Sequence, residues 1–155
     1  MTIKLAETAP VREPTERWTT TEAAEMYDVA AWGKGYFSVG KNGNVWVHPN
    51  KDPNRGIDLK ELVDKLELRG ISLPILIRFG EILQCQLTEI HQAFDQAIKD
   101  HNYQGQYRCV FPIKVNQQRQ VVEEVFKHGR AYQFGLEAGS KPELLAVMAI
   151  ADNNT

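Results

Sequence analysis

Cysteine is scarce in this sequence, and long hydrophobic runs are absent. Its two cysteines, Cys85 and Cys109, lack the short spacing of metal-binding pairs, so neither a disulfide framework nor a zinc site is predicted. No apolar run approaches the roughly 18–20 residues that cross a bilayer, and the N-terminus lacks the basic-then-apolar pattern of a signal peptide. These absences favour a cytoplasmic protein without a membrane partner.

An excess of charge of either sign is also lacking. The 18 basic and 20 acidic residues leave a formal net charge of −2, which provides no electrostatic basis for binding nucleic acid. Small molecules or other protein chains are the expected partners. With 155 residues, of which 43% are hydrophobic and 25% charged, the chain has an average soluble composition and is long enough for one domain with a core.

The first 56 residues contain one strong turn signal. Residues 1–17 have no periodicity and are predicted to form a mobile arm. Residues 18–31 predict a short helix that begins at one of the threonines 19 to 21. In residues 32–47, aromatic and β-branched runs flank Asn42-Gly43, which is typical of a hairpin with a type I′ turn. No further antiparallel partner for this hairpin is evident.

Helical and strand patterns alternate from residue 57 to residue 155. The predicted strands are 74–79, 107–115 and 132–137. The predicted helices begin at Asp58, at Thr88, after residue 115 with an end at Gly129, and at a capping box formed by Ser140 and Glu143. Three strand-helix units in a row favour an α/β fold with a parallel sheet and right-handed crossovers.

Each predicted strand carries a charged side chain at or near its carboxyl end: Arg78, Lys114 and Glu137. Their alternation places them opposite the apolar face, so we expect them to converge on one mouth, where α/β enzymes form their sites. Burying the ammonium of Lys114 would cost free energy, so a lysine at this place is expected to have a function that compensates for the cost. The typical function is that of a nucleophilic amine that forms a Schiff base. Two alternatives remain: Lys114 reaches into solvent, and Arg78 pairs with Glu137 at the rim.

Four collinear stretches resemble the biosynthetic arginine decarboxylases, which are pyridoxal-phosphate enzymes of the alanine-racemase-like barrel class. These stretches are residues 27–47, 73–79, 111–117 and 135–144. The similarity runs from about Trp18 to the last residue. It implies that residues 57–155 form the first three strand-helix units of an incomplete (β/α)8 barrel. Residues 18–56 would be a hairpin segment of a β-rich domain.

The resemblance implies an enzyme that converts L-arginine to agmatine and carbon dioxide at the entry to polyamine biosynthesis. Lys114 would be the Schiff-base lysine for pyridoxal 5′-phosphate. Glu137 and Arg78 would be further cofactor-binding candidates. The cofactor would act as the electron sink after decarboxylation. Magnesium and a homo-oligomeric state are also associated with the family, but no metal ligand set can be identified in this sequence.

Three other functions fit parts of the same pattern. The lysine segment also occurs in decarboxylases of ornithine, lysine and diaminopimelate. A non-catalytic pyridoxal-phosphate carrier shares the barrel and the lysine, but it has no β-rich domain for the hairpin around Asn42-Gly43 to join. A small α/β binding module without a cofactor would need one more strand to cover its sheet.

We expect the 155 residues to be an N-terminal part of a longer enzyme, because no phosphate loop, pyridine-nitrogen partner, guanidinium-binding residue or catalytic acid is identified in them. The purified chain is predicted to release no carbon dioxide from arginine. It is also predicted to be poorly soluble and to unfold with weak cooperativity, because an open sheet leaves unpaired edges. Assays of released carbon dioxide and thermal unfolding check these expectations, and measurable turnover would contradict the first.

Overall fold

The structure is a computed structural model that describes residues 17–151. The predicted arm therefore lies outside the described residues, apart from residue 17. The elements are α1 (Thr20–Met26), α2 (Val29–Gly33), β1 (Phe37–Val39), β2 (Val45–Val47), β3 (Ile57–Asp58), α3 (Leu59–Glu67), α4 (Gly80–Asp100), β4 (Val110–Pro112), α5 (Arg119–Gly129), β5 (Gly135–Glu137) and α6 (Lys141–Ile150). Two 3-10 turns, Ile113–Val115 and Arg130–Tyr132, complete the described elements.

The first helix begins where the sequence predicts it. Thr19 is the N-cap of α1, and its hydroxyl accepts a hydrogen bond from the Glu22 N–H at 3.2 Å. The Glu22 carboxylate accepts one in return from the Thr19 N–H at 2.9 Å. These two bonds form a capping box, which satisfies backbone donors that have no partner inside the helix.

The first sheet is antiparallel, with the strand order β1-β2-β3. The predicted hairpin is confirmed, with Val39 opposite Val45. The expectation that it has no further partner is wrong, because Ile57 pairs with Val47 on the other side of β2. The sheet thus continues across the predicted boundary between residues 56 and 57. A strand of two residues is too short to show an alternation in the sequence.

The turn of the hairpin differs from the predicted type I′. That type requires positive φ at both central residues, but within residues 40–44 only Gly43 has one, at +83°. The Gly43 N–H donates to the Gly40 carbonyl at 2.9 Å, and the Gly40 N–H donates to the Asn44 carbonyl at 2.8 Å. Asn42 keeps negative φ, and its side-chain oxygen accepts from the Asn44 N–H at 3.2 Å. The result is a three-residue loop in which Gly43 alone takes the left-handed conformation.

Asp58 connects the hairpin loop to α3. As predicted, it is the N-cap of α3, and its carboxylate accepts from the N–H groups of Lys60 at 2.9 Å and Glu61 at 3.2 Å. The same carboxylate accepts from the side-chain amides of Asn42 and Asn44, each at 2.8 Å. These bonds, the one from Asn44 most of all, lower the pKa of Asp58 below its ordinary value of 3.8.

The first sheet meets α4 through a polar contact around Tyr36. The ammonium of Lys51 lies 4.7 Å from the centre of the Tyr36 ring and forms an ion pair with Glu89 of α4. Gln86, one turn earlier on α4, donates to the Tyr36 hydroxyl at 2.8 Å. The contact therefore combines a cation–π interaction with hydrogen bonds.

The second sheet has two strands, and they are parallel as predicted. Phe111 of β4 lies opposite Leu136 of β5, and Pro112 lies opposite Glu137. Each strand is shorter than predicted, with three residues. The predicted strand 74–79 is wrong, because that segment has no neighbouring strand and leaves Leu76 72% exposed. A strand requires a partner backbone, which a local pattern does not reveal.

The N-cap of α4 is Phe79, nine residues before the predicted N-cap Thr88. Thr88 lies inside the helix, and its hydroxyl is 3.0 Å from that of Tyr132. The sequence predicts an apolar face around Phe94, but 47% of Phe94 is accessible, and the buried side chain of the helix is Leu87. A threonine inside a helix resembles an N-cap in the sequence, because both positions suit a hydroxyl that finds a hydrogen-bond partner.

The core of the second half lies between the β4–β5 sheet and helix α5. Its buried side chains are Ile113, Val122, Val125 and Phe134. Helix α5 ends at Gly129 as predicted, where a β-carbon would lie 2.6 Å from that of Phe134. The capping box predicted for α6 is incomplete. Ser140 accepts from the Glu143 N–H at 3.4 Å, but the Glu143 carboxylate accepts from Gly139 instead.

Removal of the Asp58 carboxylate is expected to destabilise the first sheet and α3 together. Asp58→Ala should lower the melting temperature by roughly 5–10 °C, because it removes a helix cap and both asparagine contacts. Since the pKa of Asp58 is lowered by folding, its stabilising effect is present above pH 3.8 and is lost as the pH falls through the lower folded value.

Asp58→Asn is the matched control, because it keeps an acceptor oxygen for the cap but carries no charge. Thermal unfolding between about pH 2 and pH 7 should show a weaker loss of stability at low pH for this variant. An identical pH dependence in the natural chain and in Asp58→Asn would contradict the assignment.

Candidate functional site

Lys114 lies in the 3-10 turn that directly follows β4. The predicted strand ends earlier than residue 115 because Pro112 has no N–H to extend the ladder of hydrogen bonds. The Asn116 N–H donates to the Ile113 carbonyl at 3.1 Å and closes the turn around Lys114. The lysine nevertheless follows the carboxyl end of a parallel strand, the position that the sequence predicts.

The two neighbours of Lys114 differ sharply in burial. Ile113 is 2% exposed and Val115 is 65% exposed. The sequence predicts both on one apolar face, which is wrong for Val115, because the alternation of a strand does not continue through a 3-10 turn. Ile113 is therefore the buried side chain that fixes the turn to the core.

The side chain of Lys114 is exposed, and it makes no hydrogen bond or ion pair with any residue between 17 and 151. The sequence places Lys114 in a strand, where burial of its ammonium would cost free energy. Because the side chain is exposed, this cost does not arise within the described residues. An accessible amine without a partner remains open to a reaction with a carbonyl compound.

Glu137 ends β5, where it lies opposite Pro112 in the parallel register. Lys114 follows Pro112 by two residues, so the lysine and the glutamate share one end of the sheet. Glu137 is exposed, and no ion pair joins it to Lys114 or to Arg78 in the described chain. The rim salt bridge considered as an alternative is thus not formed.

Arg78 reaches the lysine segment through a different residue. Its Nη2 donates to the side-chain oxygen of Gln118 at 2.8 Å. Gln118 is the N-cap of α5, and its N–H donates to the side-chain oxygen of Asn116 at 3.1 Å. Sequence reasoning missed both Asn116 and Gln118. The available signal was an asparagine two residues before a helix N-cap, which is typical of a side chain that caps a turn.

A groove of about 450 Å³ opens beside this turn, between α5 and α6. Its polar lining includes Gln117, Arg119, Ser140 and Glu143, and its apolar lining includes Ile113, Val122, Pro142, Ala146, Ala149 and Ile150. The buried anchor Ile113 therefore borders both the core and this groove.

No metal site is evident in the region from 17 to 151, because no group of three or more histidine, cysteine, aspartate or glutamate side chains is arranged to hold an ion. Within the same residues, none of the helices has the length and apolar character needed to cross a membrane.

Ile113→Ala tests whether the buried side chain anchors the lysine turn. The substitution should lower the free energy of unfolding by about 2–4 kcal/mol, because it leaves a cavity in the core. Val115→Ala, on the exposed side of Lys114, is the matched control and should change it by less than about 0.5 kcal/mol. Urea unfolding measures both, and equal effects would show that Ile113 is not the anchor.

The sequence is similar to several enzymes that share the name biosynthetic arginine decarboxylase. The biosynthetic arginine decarboxylase of Rhodopirellula baltica is 54% identical over 138 residues, which are 89% of this chain and 21% of that relative. That of Trichlorobacter lovleyi is 47% identical over 139 residues, which are 90% of this chain and 22% of the relative. No protein-family model matches the chain.

A solved structure is also similar to this chain in its fold. The crystal structure of the biosynthetic arginine decarboxylase SpeA from Campylobacter jejuni superposes with a TM-score of 0.74 at 36% sequence identity. The match covers 83% of this chain and 21% of that one. The chain thus spans about a fifth of the length of the proteins it matches. By sequence and by fold, it is similar to a segment of the biosynthetic arginine decarboxylases.

Proposed function

We propose that this chain provides the Schiff-base lysine of a pyridoxal-phosphate-dependent decarboxylase that converts L-arginine to agmatine and carbon dioxide in polyamine biosynthesis. The observation that carries the proposal is Lys114, an exposed amine in a turn after the parallel strand β4. Support comes from the names of the relatives, which are biosynthetic arginine decarboxylases at 46–54% identity.

The chemistry of the described residues fits one part of such a site. An unpaired, accessible amine is the group that condenses with an aldehyde, and Lys114 has this character. Glu137 is a candidate for a position near the cofactor, because it shares the sheet end with the lysine. When bound, pyridoxal phosphate supplies the electron sink that decarboxylation requires.

The contribution of this chain is to hold the backbone of the turn that carries one amine. Ile113 fixes the start of the turn in the core, and Asn116 closes the turn through its hydrogen bond to the Ile113 carbonyl. A backbone held in this way does not have to be ordered when the amine reacts, which lowers the entropic part of the barrier. Under the proposal, magnesium, a homo-oligomeric state and a cytoplasmic location are expectations from the family.

Trapping experiments test the role of Lys114 in the gene product that contains this chain. Incubation with pyridoxal phosphate, reduction with borohydride and peptide mapping by mass spectrometry should place the label on Lys114. Lys114→Ala should lose both the label and the release of carbon dioxide from arginine, since no other amine stands in this turn. Lys127→Ala, which removes an exposed lysine from the last turn of α5, is the control and should retain both.

The outcomes separate the competing functions. A label on another lysine, or an unchanged label in Lys114→Ala, would contradict the assignment of Lys114. The absence of any label would favour a binding module without a cofactor. A label on Lys114 without carbon dioxide release from any amino acid would favour a non-catalytic carrier. Release from ornithine, lysine or diaminopimelate in preference to arginine would keep the lysine assignment and change the substrate.

A further inference from the structure

The turn that carries Lys114 is tied to α5 by the side chain of Asn116. The backbone N–H of Asn116 donates to the Ile113 carbonyl, and its side-chain oxygen accepts from the Gln118 N–H, each at 3.1 Å. The first bond closes the turn, and the second joins the turn to Gln118, which occupies the N-cap position of α5. An asparagine in this arrangement restricts the backbone on both of its sides.

A second tie comes from a distant part of the chain. Arg78 donates to the side chain of Gln118 at 2.8 Å, although the two residues are 40 positions apart. Arg78 stands directly before Phe79, the N-cap of α4, so the bond connects the starts of α4 and α5. The side chain of Gln118 makes no capping bond to its own helix. The side-chain oxygen of Gln118 accepts the hydrogen bond from Arg78 instead.

We infer that Asn116 and Arg78 are positioning residues, which hold the Lys114 turn in the orientation that presents its amine to an aldehyde. The inference rests on the proposed function for the reaction that it serves. It assigns Arg78 a contact with the protein, through Gln118, in place of a contact with the cofactor. A turn fixed from both sides needs little reorganisation when the amine reacts, so bond formation is faster.

The rate at which pyridoxal phosphate attaches to Lys114, trapped with borohydride and mapped to the peptide, tests the inference in the gene product that contains this chain. Asn116→Ala and Arg78→Ala should each slow attachment by about fivefold, the loss of about one hydrogen bond. Gln118→Ala removes the same contact as Arg78→Ala without a change of charge and should match it. Asn116→Asp keeps an acceptor oxygen and should restore most of the rate.

Arg119→Ala is the matched control. Arg119 is also an exposed arginine at the start of α5, but it pairs with Glu123 at 2.6 Å on its own helix. Its removal should leave attachment unchanged. Circular dichroism of every variant shows whether the comparison is made between folded proteins. A residue with a merely structural role would lower the melting temperature and leave the attachment rate of the folded protein unchanged.

The possible results separate this inference from the proposed function. If the natural protein is labelled at Lys114 but Asn116→Ala and Arg78→Ala react at the natural rate, or Arg119→Ala is slowed equally, the inference is overturned alone. If the natural protein is not labelled at Lys114, the proposed function fails. The positioning role then fails with it, and amide hydrogen exchange tests the tie alone: faster exchange of the Gln118 N–H in Asn116→Ala supports the hydrogen bond, and unchanged exchange overturns it.

Discussion

The parallel pairing of β4 with β5 is the interaction on which the candidate site depends. It places Pro112 opposite Glu137, and it thereby brings two segments that are well separated in the sequence to one end of a sheet. The pairing is stabilised from one side by the buried side chains of Ile113 and Phe134. Without this register, the turn around Lys114 and the end of β5 would have no fixed relation.

Features determined by neighbouring residues were predicted well. The caps of α1 and α3 follow from side chains that bond to nearby backbone groups, and α5 ends at a glycine, which is a poor helix former. The sequence alone reveals both kinds of signal. Features that depend on a distant partner were not. Residues 74–79 have the composition of a strand but no neighbour, and Ile57 pairs with Val47 without any signal of its own.

The candidate site shows the same division. The place of Lys114 after a parallel strand could be predicted, because the apolar run and the charged residue are adjacent in the sequence. The way the lysine is held could not. The bond between Arg78 and Gln118 joins the starts of two helices, and no periodicity relates residues that lie so far apart. The sequence predicts that the three charged side chains converge. It does not reveal that Gln118 lies between Arg78 and the lysine segment.

The arrangement around Asp58 has a consequence for the order of events during synthesis. All the partners of this carboxylate lie between Asn42 and Glu61, so the cluster forms entirely within a short stretch of chain. Contacts of such low sequence separation close early, and domains fold from the N-terminal side as the chain leaves the ribosome. The first sheet can therefore be complete before the strand that leads to Lys114 has been translated. Helix α4, which is translated next, then meets a folded surface, to which it attaches through Lys51 and Tyr36.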